Sequence, residues 1–268
     1  MSKPTTSEYV RGSLYGIAFV SIWASWIVAG RLGVGTSLTP WDITAIRFGT
    51  GAVILLPYLL RRGLAVDRLG WLGLAAIVVG GGAPVVLVSY GGLLFAPARH
   101  AASLFTALIP LPSAILAAVV LGEAFTLPKR IGLALIVTGA VLIVWSAGGT
   151  LGSRQNIGDA MFIGAAVLFS CYAVAMRKAE LDGLHASAIA VVVSLIAYEP
   201  VYAVVSGASL FNAPWRDIAL QALVQGLLTT VISQWLFGRA VSILGAEGLG
   251  VLGPVPGHHG PRSDPASR

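Results

Sequence analysis

Residues 71–110 read WLGLAAIVVGGGAPVVLVSYGGLLFAPARHAASLFTALIP, and residues 215–254 read WRDIALQALVQGLLTTVISQWLFGRAVSILGAEGLGVLGP. A shift of 144 residues aligns these two stretches without a gap. The identical residues at that shift are Trp71 and Trp215, Ala75 and Ala219, Gly82 and Gly226, Ser89 and Ser233, Ala96 and Ala240, Ala102 and Ala246, Leu108 and Leu252, and Pro110 and Pro254. Farther upstream, a shift of 146 residues pairs Gly12 with Gly158 and Arg31 with Arg177. The chain therefore carries two degenerate copies of one unit, and its fold is built from that unit.

The composition places both copies in a lipid bilayer. Hydrophobic residues make up 56% of the 268 residues and charged residues only 10%, well below the roughly 25% of an ordinary soluble domain. A helix of about 17 to 25 apolar residues crosses the hydrocarbon core. Stretches of this kind occur at 12–30, 43–60, 70–90, 101–122, 131–146, 157–176, 186–205 and 218–238. Because they are apolar all round rather than alternating, they predict an all-α membrane protein with eight spans and not a barrel.

Charge and composition also argue against several classes of protein. The net charge of +6 does not indicate nucleic-acid binding, because the basic residues lie in short loops between spans. The lone Cys171 can form no intrachain disulfide. His258 and His259 lack a third ligand, so we expect no metal site and no cofactor. The sequence pairs no nucleophile with a base, so we do not expect an enzyme.

The basic residues predict the orientation of the chain. One set of alternate loops carries Lys3, Arg11, Arg61, Arg62, Arg68, Lys129, Arg130, Arg177, Lys178 and Arg239. The other set carries Arg31, Arg99, Arg154 and Arg216. The positive-inside rule therefore places the amino terminus and the larger set in the cytoplasm. The first span lacks a following cleavage site, so we expect it to be retained rather than removed as a signal peptide.

The repeats predict an inverted architecture. Five spans fit in the first repeat, 12–147, and the second repeat, 157–254, follows it directly. An odd number of crossings makes the second copy enter from the opposite side, so we expect a five-plus-five arrangement with inverted topology. The second copy ends at the start of its fourth span, and a polar tail, 255–268, follows that we expect to be disordered. A one-base shift near Gly257 would encode an apolar continuation, so we hypothesise a frameshift in a gene that once encoded ten spans.

Ionisable residues at membrane depth are functional candidates because they are costly against lipid. Arg47 and Glu199 lie at similar depths in spans two and seven, so an ion pair lining an outer vestibule is one hypothesis. The alternatives are an Arg47 side chain that reaches the outer headgroups and a neutral Glu199 hydrogen-bonded within the bundle. Glu199 is also the candidate if transport is coupled to protons. His100 lies at the mouth of span four, where an interfacial position is the alternative to a role in the pathway.

Neutral polar residues and prolines complete the candidate site. Gln221 and Gln225 lie on one face of span eight, where they either line a polar pathway or hydrogen-bond to neighbouring helices. Ser89 and Ser233 are repeat equivalents and join the same candidate pathway. Prolines inside membrane helices produce kinks, which are either fixed for packing or act as hinges. The proposed kinks are at Pro84, Pro110 and Pro254.

Together, the sequence LGEA at 121–124, Arg47, the AAS…IP stretch at 101–110 and the five-span repeat resemble the EamA-type proteins of the drug/metabolite transporter superfamily. The resemblance covers residues 12–254. It implies a multi-pass carrier of the bacterial inner membrane that moves amino acids or related metabolites, mainly by efflux, through alternating access at a site between the repeats. The implied partners are the lipid bilayer and a small-molecule substrate, and a homodimer stays open.

This chain lacks the second Gly-Glu sequence and the tenth span of the family pattern. Two alternatives to an active carrier therefore remain, which are an inactive truncated transporter and a membrane scaffold or sensor that transports nothing.

Overall fold

A computed structural model describes residues 6–35, 37–146, 154–206 and 209–250. Within these ranges the regular secondary structure is helical, and no strand is formed. The long helices are α1 (Thr6–Val34), α2 (Pro40–Arg62), α3 (Val66–Phe95), α4 (Ala98–Leu121), α5 (Leu127–Ser146), α6 (Arg154–Lys178), α7 (Gly183–Ser206) and α8 (Trp215–Ala240). Helical structure continues beyond the end of α8 to Gly250. The all-α prediction is confirmed for this part of the chain.

The number of membrane spans agrees only in part with the prediction of eight. Seven of the described helices, all except α5, are long and apolar enough to cross a membrane. The fifth predicted span, 131–146, is helical within α5, but several of its side chains fall outside the description. The polar tail, Pro254 and the proposed frameshift also lie outside the described residues. The chain is therefore a multi-pass membrane protein, while the complete five-plus-five arrangement stays a prediction.

Local sequence explains where α2 begins and ends. Thr39 caps its first turn by accepting a hydrogen bond from the Asp42 amide, while the Asp42 carboxylate accepts one from the Thr39 amide, which is the reciprocal arrangement of a capping box. Pro40 occupies the first helical position, where its missing amide hydrogen costs nothing. The helix ends at Gly63, which has a φ of 73° that favours glycine. These signals fix the register of the helix that carries Arg47.

Three helices are irregular at the middle of the bundle. α3 breaks at Gly82, and its second half, Ala83–Phe95, begins there with Pro84 in its first turn. α4 contains a π-helical segment, Ala101–Thr106, and then resumes as Pro110–Leu121. α8 contains a longer π-helical segment, Ala222–Ile232. Pro84 and Pro110 therefore begin helical segments after a break, where a proline is well tolerated, rather than kinking the interior of a continuous α-helix.

The helices pack in pairs. α2 packs mainly against α7, α1 against α8, and α3 against α6. The α2–α7 pair is antiparallel, because the Tyr202 hydroxyl donates to Asp42 at one end and the His185 ring contacts the Gly63 carbonyl at the other. Under the repeat shift α2 becomes α7, and the α1–α8 pair becomes the α6–α3 pair. The helix packing therefore follows the internal repeat.

A pair of glycine contacts follows the repeat residue by residue. Gly82 of α3 lies so close to Ser194 of α7 that an added Cβ would overlap the Ser194 side chain. Gly226 of α8 likewise lies against Thr50 of α2, where an added Cβ would overlap the Thr50 side chain. The shift of 144 residues that relates Gly82 to Gly226 also relates Thr50 to Ser194. Close helix contacts through small residues are typical of membrane bundles, and this one occurs once in each copy.

Candidate functional site

A small cavity lies at the middle of the bundle, between residues of both repeats. Its volume is about 40 Å³, well below the roughly 300 Å³ at which ligand pockets begin. The residues that line it are Trp23, Trp26, Arg47, Gly81, Val85, Val86, Ser89, Phe105, Phe169 and Thr229. The irregular segments of α3, α4 and α8 each contribute to this wall or lie beside it. The cavity in this conformation is too small for a metabolite, so binding one requires the helices to move apart.

Aromatic rings form one side of the cavity. Trp26 meets Phe105 edge to face at a centroid distance of 5.6 Å. Phe105 meets Phe169 edge to face at 6.1 Å, and Phe169 also contacts Trp23 at 6.1 Å. Such contacts stabilise by about 0.5–1.5 kcal/mol each beyond the area they bury. The rings therefore form a continuous apolar wall that joins α1, α4 and α6.

Arg47 brings a positive charge to this wall. Its Nη1 atom donates to Gln225 Oε1 at 3.5 Å, a long hydrogen bond. Its Nε atom is buried without a hydrogen-bond partner among the described residues, and no described carboxylate lies within ion-pair distance of it. The Tyr90 hydroxyl lies beside the Arg47 side chain. A guanidinium with donors to spare is suited to binding a carboxylate or phosphate.

Gln221 and Gln225 fasten α8 to α1. The side-chain amide of Gln225 donates to the Trp26 carbonyl at 3.0 Å, and that of Gln221 donates to the Ala29 carbonyl at 2.8 Å. Both residues are fully buried. Hydrogen bonding between helices, one of the two predicted roles, is thus observed for both residues, and Gln225 additionally holds the Arg47 side chain.

The two candidate serines use their hydroxyls within their own helices. Ser89 donates to the Val85 carbonyl at 2.7 Å, and Ser233 donates to the Thr229 carbonyl. Both serines are buried, and Ser89 lines the cavity. Each oxygen keeps acceptor capacity, but each hydroxyl hydrogen is already engaged.

Glu199 is not brought to the site. It is exposed on α7, on a face that also exposes Ile196 and Val204. The predicted ion pair with Arg47 is not formed, because Arg47 turns toward Gln225 of α8 while Glu199 turns outward. Similar depths along spans two and seven do not by themselves bring Arg47 and Glu199 into contact, since depth does not fix the direction in which a side chain faces.

His100 is buried against α6 at the beginning of α4. It is 1% exposed, and its Nδ1 atom lies 2.8 Å from Asp159 Oδ1 of α6. Asp159 is also buried, and its Oδ2 atom has no hydrogen-bond partner among the described residues. Asp159 is not among the predicted site residues, although a carboxylate inside the predicted span 157–176 meets the same criterion as Arg47.

The opposite ends of α4 and α6 are joined by charges. Glu123 of the LGEA sequence forms ion pairs with Arg177 and with Lys129 at 3.2 Å. Partial burial acts to raise the pKa of Glu123, but the hydrogen bonds and charges of Arg177 and Lys129 outweigh burial and lower that pKa below its usual value. α4 is thus fastened to α6 at both ends, by Glu123 at one end and by His100 at the other.

Comparisons with known proteins agree with this fold. The sequence model of the EamA-like transporter family matches residues 10–145. An uncharacterized transporter from Archaeoglobus fulgidus is 37% identical over 107 residues, which cover 40% of this chain and 38% of that protein. The match therefore spans well under half the length of this relative. One solved crystal structure of a protein superimposes with a TM-score of 0.54 over 90% of this chain and 85% of that one, at 19% identity, which is a likeness of fold alone.

Proposed function

Because this chain belongs to the EamA-like transporter family, we propose that it is a secondary transporter that exports a small carboxylate-bearing metabolite, an amino acid or a related compound. It works in the bacterial inner membrane with its amino terminus in the cytoplasm. The observation that carries the proposal is Arg47, which lines the cavity with its Nε donor buried and unpartnered and without a carboxylate partner among the described residues. A cation left in this state is explained by a substrate anion that completes its hydrogen bonds.

The aromatic wall supports a substrate with an apolar part. Trp26, Phe105 and Phe169 face the same cavity as the Arg47 guanidinium, so one ligand reaches both. The planar guanidinium fixes a carboxylate by paired hydrogen bonds, while the rings contact the remainder of the molecule. This is the combination of a few polar groups and many apolar ones that is usual in ligand sites.

Alternating access between inverted repeats is the mechanism we propose. It is supported by the helix packing, in which α2 contacts its repeat equivalent α7 and the α1–α8 pair corresponds to the α6–α3 pair. The matching contacts of Gly82 with Ser194 and of Gly226 with Thr50 support the same symmetry. Two such halves can exchange conformations about a central site, so that the site opens to one side and then to the other.

Counterflow into liposomes tests the proposed function. Purified full-length protein is reconstituted, the liposomes are loaded with one unlabelled amino acid at a time, and uptake of the same radiolabelled amino acid is measured. Arg47→Ala and Arg47→Lys should both reduce uptake by about tenfold to a hundredfold, because a hydrogen bond to a charged group is worth about 1.5–3 kcal/mol. We expect Arg47→Lys to transport poorly as well, because an ammonium lacks the planar pair of N–H donors with which a guanidinium binds a carboxylate.

Glu199→Gln is the matched control, since Glu199 is a charged residue of the bundle that faces away from the cavity. It should transport as the wild type does. Normal uptake by Arg47→Ala would reject Arg47 as the substrate-binding residue. No uptake of any amino acid by the wild-type protein would reject the proposed substrate class.

A further inference from the structure

We propose that the His100–Asp159 pair is a proton-binding site that controls the central cavity. Both side chains are almost fully buried, they are joined by a contact of 2.8 Å between Nδ1 and Oδ1, and Asp159 Oδ2 is left without a hydrogen-bond partner among the described residues. The proposed transport function accounts for neither residue, because neither lines the cavity. An ionisable pair buried between two helices of a membrane bundle calls for a functional explanation.

The chemistry of the pair favours a proton as its ligand. With a neutral imidazole, the Nδ1 hydrogen donates to the carboxylate and the pair carries a net charge of −1. Uptake of one proton from water forms one N–H bond on the ring and brings the net charge of the pair to zero. A buried site of low polarity favours the state without net charge. The proton belongs to the pair as a unit, because two groups this close titrate together.

The surrounding charges are few and are engaged elsewhere. On α4 itself Arg99 is exposed. On α6 the Arg154 guanidinium lies over the Phe95 ring, 5.7 Å from its centroid, and on α1 Arg31 donates to the Leu93 carbonyl. On α3 the titratable group in this half is Tyr90, which lies near Arg47.

α5 also packs against the start of α4. Its titratable residues are Lys129 and Arg130. Lys129 is at the opposite end, beside Glu123. Asp159 is therefore the described carboxylate that faces His100.

The position of the pair links it to the cavity. His100 immediately precedes the π-helical segment Ala101–Thr106, and that segment carries Phe105, which lines the cavity and contacts Trp26. On the other side, Gly158 next to Asp159 packs directly against Ala96 and Gly92 of α3. A change in the charge of the pair alters the strength of the His100–Asp159 contact between α4 and α6. Because close packing around Gly158 fixes α6 against α3, we expect the resulting movement to occur in α4, which carries Phe105.

The first test uses intrinsic fluorescence and needs no substrate. Full-length protein in lipid nanodiscs is titrated from about pH 8 to about pH 5, the interval in which histidine charge changes. We expect a one-proton change in tryptophan emission in the wild type, a loss of that change in His100→Gln and in Asp159→Asn, and a loss of most of its amplitude in Trp26→Phe. Glu199→Gln is the control and should keep the full change. Persistence of the change in both His100→Gln and Asp159→Asn would overturn the proposal.

A second measurement on the native pair guards against variants that do not fold. The protein is labelled with 15N-histidine in a background that carries His185→Gln, His258→Gln and His259→Gln, so that His100 is the remaining histidine. The His100 ring signal should pass from neutral to doubly protonated over the same pH interval as the fluorescence change. A His100 ring that keeps one protonation state throughout would overturn the proposal without any variant of the pair.

The link to transport rests on the proposed function and is measured separately. In liposomes with an imposed pH gradient, wild-type uptake should respond to the gradient, and His100→Gln and Asp159→Asn should exchange substrate without that response. A response retained by both variants would reject the coupling. If the wild type moves no amino acid, the proposed function fails, while the fluorescence and nitrogen signals still decide whether the pair binds a proton.

Discussion

α3 and α8 occupy equivalent places in the two repeats, and they differ in how they are held. Each is irregular around its equivalent glycine, Gly82 or Gly226, and each glycine packs against the α2–α7 pair. α3, however, packs on α6 through glycines, since added Cβ atoms at Gly80 and Gly81 would overlap α6. α8 is fastened to α1 by the amide hydrogen bonds of Gln221 and Gln225. The glycine contact is thus shared by the two stretches that the 144-residue shift relates, while the polar chemistry around it differs.

The same comparison bears on the charge of the site, in whose described lining Arg47 is the one cation. The shift of 144 residues that relates Thr50 to Ser194 relates Arg47 to Val191, and Val191 is buried. The two positions that the shift relates therefore carry a guanidinium on α2 and an apolar side chain on α7. A single carboxylate-bearing substrate needs only one such cation, so an asymmetric site within a symmetric frame suits the proposed function.

The comparison of α3 with α8 requires that the two copies have inverted topology. The side of the membrane from which single cysteines are labelled tests this topology, and the expected result is all or none. In a Cys171→Ala background, Leu64→Cys reports the loop after α2 and Gln155→Cys reports the start of α6. Three crossings, by α3, α4 and α5, separate the two positions, so a membrane-impermeant thiol reagent should reach them from opposite sides. Labelling from one side would mean that α5 does not cross the membrane, and the five-span repeat would be wrong.

The equivalence of the two glycine contacts predicts a large loss of stability at both. Gly82→Ala and Gly226→Ala should each lower the free energy of unfolding by up to about 3 kcal/mol, because the added methyl group overpacks a closed contact. Gly82→Ala should cost more, since its Cβ would also overlap the Val78 carbonyl, whereas Gly226 meets the side chain of Thr50. Thermal unfolding in detergent, followed by the monodisperse fraction, measures the difference.

Gly164→Ala is the control for this pair. Gly164 lies inside α6 with no described atom within 4 Å of an added Cβ, so this variant should unfold at the wild-type temperature or slightly above it, because alanine favours the helix over glycine. Equal stability of Gly82→Ala, Gly226→Ala and Gly164→Ala would show that the helices are not tightly packed at Gly82 and Gly226. A loss at Gly82 alone would break the equivalence of the copies.

The seven described membrane helices could be predicted from the sequence, and the repeat could be proposed from it, because both depend on patterns along the chain. Apolar length and the 144-residue shift need no knowledge of contacts, and Arg47 was singled out by the cost of burying a charge in lipid. The partners of Arg47 were not predictable in this way. Whether it faces Glu199 or Gln225 depends on helix rotation, which apolar all-round helices do not encode in their periodicity. The aromatic wall was missed for the same reason, since buried rings are common in any bundle.

The end of the α4–α6 pair that carries Glu123 predicts a smaller, pH-dependent effect. Because the pKa of Glu123 is lowered in the fold by Arg177 and Lys129 in spite of its partial burial, its ion pairs stabilise the protein above the usual range of a glutamate. That contribution decreases once the pH falls below the usual pKa of a glutamate, about 4.3, and is lost when the pH has passed the lower pKa of the folded state. Glu123→Gln should reduce stability at pH 7 by about 1 kcal/mol or less, since the group is partly exposed.

Thermal midpoints of the wild type and of Glu123→Gln, compared from pH 7 downward, measure this contribution. The two curves should converge at acidic pH, where Glu123 is protonated in both states of the wild type. A constant difference at every pH would assign the effect to packing of the side chain rather than to its charge.

The central claim, that Arg47 is kept free of carboxylates so that it can bind one from the substrate, is tested most directly by placing a carboxylate beside it. Gln225→Glu puts an oxygen anion where Oε1 now lies, 3.5 Å from Arg47 Nη1, and Gln221→Glu is the matched control one turn away. Both variants lose an amide hydrogen bond to a carbonyl of α1, but only Gln225→Glu neutralises Arg47. Counterflow should fall by about tenfold to a hundredfold in Gln225→Glu relative to Gln221→Glu. Equal transport by the two variants would contradict the claim.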